Sequence, residues 1–155
     1  MKKLLLLCLS VGVLFSAPIK FTKTDTCLIR QLKVYKDPSW VAKIRTRQDK
    51  EAYFSSPKSM FEYYFNPIKW ASLGAIASSD IEEIWVTDFN TLEAVDAKTS
   101  YYVYGSNVTS PGGDDLVAFK TKADAKAFAA KHNGRRVLSF FEMKNSLIQL
   151  LNGSI

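Results

Sequence analysis

The chain has 155 residues, of which 47% are hydrophobic, 13% aromatic and 23% charged, with 7 Gly, 5 Pro and a formal net charge of +6. This composition excludes a disordered, collagen-like or low-complexity chain, and the length excludes two large domains. Two cysteines, Cys8 and Cys27, are too few for a disulfide scaffold or a Cys-rich zinc or iron–sulfur site, and the single histidine, His132, excludes an all-histidine metal site within one chain.

Residues 1–17 follow the plan of a signal peptide. Lys2 and Lys3 form the positive end, Leu4 to Phe15 is apolar apart from Ser10 and Gly12, and Ser16-Ala17 closes it with small residues. The apolar run is shorter than the roughly 20 residues needed to span a bilayer, so export with removal is expected rather than a retained anchor. Pro18 follows Ala17 directly, which makes a cut after Ser16 at least as plausible as one after Ala17. Cys8 lies inside the apolar run as a small leader residue. Losing the leader removes two lysines and leaves a modest positive charge scattered among acids, so nucleic acid is not an expected partner. Cys27 is then a lone thiol in an oxidising compartment, which must be buried, bonded to another chain or bound to something.

Along the mature chain, Leu28, Leu32 and Val34 alternate with Ile29, Gln31, Lys33 and Tyr35, which predicts a half-buried strand with Arg30 on its apolar side. A turn at Lys36-Asp37-Pro38-Ser39 leads to a hairpin partner over Trp40, Ala42 and Ile44. Ser56-Pro57 reads as a helix N-cap followed by proline at the first helical position. Met60, Phe61, Tyr64 and Phe65 form one apolar helix face, and Asn66-Pro67 ends the helix. The stretch 68–80 is poorly specified. Ile84-Trp85-Val86 predicts a third strand and Thr87 to Asn90 a turn. Ala94-Val95 and Ser100 to Tyr104 predict further extended chain, and 107–115 a loop.

Leu116 to Phe119 predicts another strand. Thr121, with Asp124 three residues on, caps a second helix lined by Ala125, Phe128 and Ala129 and stopped at Asn133-Gly134. Val137 to Phe141 is the last expected strand, with a final helical turn over Leu147 to Leu151. Phe54-x-Ser56 and Phe119-x-Thr121 stand at matching helix entries, so the chain reads as two strand–strand–helix–strand (ββαβ) units, residues 18–92 and 93–155. Packed into one body, these give an α+β fold with largely antiparallel sheets.

Tyr35 to Ile44, Met60 to Pro67, Ile84 to Phe89, Val95 to Lys98, Tyr101 to Ser106 and Phe119 to Arg136 resemble, in that order, the NosL family of exported, often lipid-anchored accessory proteins that deliver copper to nitrous oxide reductase. The resemblance covers roughly Cys27 to Glu142. It implies a periplasmic protein, Cu(I) as cargo, and nitrous oxide reductase or its maturation machinery as partner. It also implies a Cys-x-x-Cys-Gly-Met motif on Cys27-Leu28-Ile29-Arg30-Gln31-Leu32, where only the first Cys remains. A later Gly-Pro-Met-Gly is matched by Ser110-Pro111-Gly112-Gly113, without its Met.

Cu(I) prefers thiolate and thioether sulfur, and Arg30 brings a fixed positive charge to a cation site. Cys27 is therefore the one motif ligand retained, and a degenerate metal site is expected. A substitute site from Cys27, Met143 and His132 is the remaining route to copper. Met60 is expected to pack in the core.

Enzymatic readings are weaker. Cys27 and His132 lack an accompanying oxyanion segment. The carboxylate pairs Glu82-Glu83 and Asp114-Asp115 fit solvated positions, and no glycine stretch forms a phosphate loop. Tyr101, Tyr102 and Tyr104 cover both faces of one strand, one of them free to meet a partner. No catalytic residue and no resident cofactor are expected. The alternative to a copper-handling protein is a metal-free periplasmic interaction module on the same scaffold.

Overall fold

The structure is a computed structural model that describes residues 16–113 and 116–154. The predicted leader, apart from Ser16-Ala17, and the Asp114-Asp115 pair lie outside the described residues.

The first hairpin joins β1 (Ala42–Thr46) to β2 (Glu51–Phe54), pairing Ala42 with Phe54 and Arg45 with Glu51. Buried Ala42, Ile44 and Thr46 alternate with Lys43 and Arg45, as a strand with one wet face requires. Helix α1 (Pro57–Phe65) starts where the sequence predicts: the Ser56 side chain accepts from the Ser59 N–H, and Pro57 occupies the first helical position. The chain then passes through 3-10 turns to β3 (Ile81–Thr87) and β4 (Ala94–Asp96), completing an antiparallel sheet of order β2-β1-β3-β4.

The second sheet has order β6-β5-β7, from β5 (Tyr101–Tyr104), β6 (Leu116–Phe119) and β7 (Arg136–Ser139), again antiparallel. Between β6 and β7 runs α2 (Lys122–Lys131), whose N-cap Thr121 accepts from the Asp124 N–H. A last helix, α3 (Asn145–Leu151), follows. The runs β1-β2-α1-β3 and β5-β6-α2-β7 share their order, and in each the opening strand lies between the other two. The fold is α+β with antiparallel sheets, as expected. One main core draws on both sheets: Ile44, Phe54, Met60, Phe61 and Val86 from the first half, and Tyr102, Leu116, Leu138 and Phe140 from the second. A smaller cluster gathers Trp40, Val103, Val117, Phe119, Ala125 and Phe128.

The strand predicted over Leu28 to Tyr35 does not form. Cys27 to Leu32 closes instead into a tight loop, and Val34–Lys36 is a 3-10 turn. The alternation misleads because Val34 is buried while Leu32 is exposed, and Gln31 has a φ of 57°, which no regular strand accommodates. The hairpin consequently moves one segment along, with the residues before Ser56 supplying its second strand. The last strand stops at Ser139 rather than Phe141. There Glu142 folds back to accept from the Ser139 N–H and hydroxyl, both at 2.8 Å, and these bonds hold its carboxyl below the usual range.

Residues 16–28 wrap the first sheet from edge to edge. At β4 the Ala94 N–H donates to the Ala17 carbonyl at 3.0 Å and Ser16 Oγ donates to the Ala94 carbonyl at 2.9 Å. At the opposite edge the Tyr53 hydroxyl donates to the Lys20 carbonyl, and the Leu28 N–H donates to the Tyr53 carbonyl at 2.8 Å. Both ends of the strap thus supply backbone partners to edge strands that would otherwise be open.

Candidate functional site

The loop from Cys27 to Leu32 sits where the strap meets the β2 edge. Cys27 bridges Tyr53 in parallel, its N–H donates to the Leu32 carbonyl at 2.8 Å, and its carbonyl accepts from the Gln31 N–H at 2.9 Å. This turn buries the Cys27 side chain completely, and its Sγ accepts the Arg30 N–H at 3.3 Å. Gln31 pays the usual cost of the left-handed region for a side-chain-bearing residue, about 1 kcal/mol. Its own Nε2 donates to the Leu28 carbonyl at 2.9 Å, which offsets part of that cost.

The Arg30 side chain reaches the helices. Its Nη2 lies 3.4 Å from Glu62 Oε2 on α1 and 3.1 Å from Asn152 Oδ1, just past α3. The position implied for the second motif cysteine therefore holds a guanidinium engaged with a carboxylate and an amide. Glu62 and Asn152 are absent from any sequence reading of this site. Neither has a motif to mark it, since the first faces Arg30 only through the helix turn and the second only through the fold of the C-terminus.

The other soft donors are placed as follows. Met60 and Met143 are buried in the main core with Cys27. His132 lies apart, at the C-cap of α2, stacked on Phe128 with ring centroids 4.3 Å apart. Cys27 and Met143 thus share the main core while His132 packs on Phe128 of the smaller cluster, and among the described residues no group of three or more His, Cys, Asp or Glu is arranged to hold a metal. Ser110 is buried in a turn closed by the Gly113 N–H donating to its carbonyl, with Gly113 at a φ of 78°. No sulfur stands in that stretch.

The Glu82-Glu83 pair has a structural partner. Arg45 reaches Glu82 at 3.1 Å and Glu83 at 2.7 Å, and Trp85 Nε1 also donates to Glu83. Hydrogen bonding from Arg45 and then Trp85 holds the Glu83 carboxyl below its ordinary range, the opposite of what a general acid needs. Among the described residues, no helix is long and apolar enough to cross a membrane.

A family model for NosL matches residues 18–148, most of the chain. The chain belongs to the NosL family. The copper-binding lipoprotein NosL of Stutzerimonas stutzeri is 42% identical to it over 55 residues, 36% of this chain and 28% of that protein, so the match spans well under two thirds of the relative's length. The crystal structure of the copper chaperone NosL from Shewanella denitrificans aligns with a TM-score of 0.72 at 19% identity, covering 84% of this chain and 98% of that one. At that identity the likeness is one of fold. Gln31, where the resemblance implies a glycine, has the left-handed backbone that a glycine adopts most readily.

Proposed function

We propose that this chain is an exported NosL-type accessory protein whose motif loop no longer holds copper by itself, and that it works by contact with a periplasmic partner in the maturation of nitrous oxide reductase. The family supports the accessory role and its copper context. The observation that carries the finer reading is the Arg30 guanidinium, paired with Glu62 at the position of the second motif cysteine. Cu(I) would have one thiol there, buried and already accepting an amide N–H, next to a fixed cation and without thioether support from the loop. The donor set does not fit the ion. Export is supported by the leader-like residues 1–17 and by the lipoprotein nature of the curated relative.

A second reading, a working copper carrier, is favoured by the retained Cys27. Anaerobic Cu(I) titration against a competing chelator separates the two, using a Cys8→Ser chain so that Cys27 is the remaining thiol. No binding beyond that of an isolated thiol is expected. One equivalent bound tightly, and lost in Cys27→Ala, would establish the carrier instead.

A further inference from the structure

We propose that the C-terminal helix is a latch on the motif loop, closed through Arg30 and Asn152, and that its release exposes the buried Cys27 thiol. Helix α3 is pinned to α1 at both ends. At its start Asn66 Nδ2 donates to Asn145 Oδ1 at 3.3 Å. At its finish Arg30 stands between Glu62 and Asn152. Glu62 and Asn66 are one turn apart on α1, so α3 runs antiparallel along it and delivers residue 152 to the loop. Ile148 anchors the middle of α3 in the same core that contains Cys27.

Arg30 replaces the cysteine that the family resemblance implies. Asn152 lies beyond residue 148, where the family match ends. The two residues meet in one hydrogen bond. Because Arg30 is also the residue whose N–H holds the Cys27 sulfur, tension on its side chain is transmitted to the cover of the thiol within a single residue. The latch concerns the motion of the loop and does not depend on whether the loop binds metal.

The test uses the full Cys8→Ser chain, with maleimide labelling of Cys27 and hydrogen exchange of the peptide over 27–32 as readouts. A buried thiol reacts through transient opening, so the labelling rate reports the open population. Asn152→Ala is expected to raise both rates about five- to tenfold, the equivalent of one solvent-exposed hydrogen bond, while exchange in α2 stays unchanged. Asn152→Asp, which keeps the acceptor and adds a charge opposite Arg30, is expected to bring both rates back to or below the parent's. Unchanged rates in Asn152→Ala, an equal rise across α2, or failure of Asn152→Asp to restore protection would each overturn the latch.

Discussion

Replacing Asp88 by Ala is expected to lower the free energy of unfolding by about 3–5 kcal/mol, measured by equilibrium urea denaturation. Asp88 is buried directly after β3 and spends both carboxylate oxygens on the backbone. Oδ1 accepts from the Asn90 and Thr91 N–H groups and from the Thr91 hydroxyl, shaping the loop that returns to β4. Oδ2 accepts from the Lys120 N–H at 2.6 Å, immediately before the cap of α2. One side chain therefore ties the end of the first sheet to the start of the second helix. Beside it, the Phe89 N–H donates to the Ala118 carbonyl and Lys120 Nζ meets buried Glu93 at 3.0 Å. Removing the carboxylate takes the acceptor from three backbone N–H groups and a hydroxyl at once around a buried position, which costs more than any one of those bonds is worth on average. Asp88→Asn should recover part of the loss, because one amide oxygen can serve Asn90 and Thr91 but its nitrogen cannot accept from Lys120.

Phe61→Ala is expected to cost a comparable amount, about 3–5 kcal/mol, by the same measurement. Phe61 is fully buried on α1 and its ring meets Tyr102 of β5 edge-on at 5.0 Å and Phe140 at 5.1 Å, as well as Tyr64 and Phe65 on its own helix. It is thus the point where the helix of the first half grips the sheet of the second. Truncation leaves a cavity walled by aromatic rings that cannot collapse without breaking their mutual contacts. Since the core is shared between the sheets, both variants should still unfold in one transition, with unfolding of α2 and of β1 coincident. Two separated transitions would show that the halves are independent units.

The helix ends were the most legible features of the sequence. Ser56-Pro57 and Thr121-x-x-Asp124 are local devices whose chemistry is complete within four residues, and both caps form as expected. The antiparallel α+β class was legible too, because short alternating segments and two amphipathic helices leave few other ways to bury their apolar faces. The segment around Cys27 was not. Its alternation of apolar and polar residues mimics a strand, while the left-handed turn at Gln31 and the bond from Leu28 to Tyr53 depend on a β2 edge formed elsewhere in the chain.

The partners of Arg30 were hidden for the same reason. Glu62 lies 32 residues away and Asn152 lies 122 away, and no spacing rule links them. The Asp88 loop had a local signal, an Asp followed by Thr three residues on, but its bond to Lys120 is again a product of the fold. Residue types alone carry the expectation of a degenerate site: where the resemblance implies Cys, Gly and Met, the sequence has Arg30, Gln31 and Leu32.

The proposed loss of the metal site rests on a loop whose backbone turns through the left-handed region at Gln31, where the resemblance implies a glycine, and whose side chains are a guanidinium, an amide and an aliphatic chain. The most direct test is to put the motif back. Arg30→Cys, Gln31→Gly and Leu32→Met together, in the Cys8→Ser chain, should yield one equivalent of Cu(I) retained against a chelator that strips the parent under identical anaerobic conditions. A parent that holds copper as firmly as this restored loop would contradict the claim that the site has been given up.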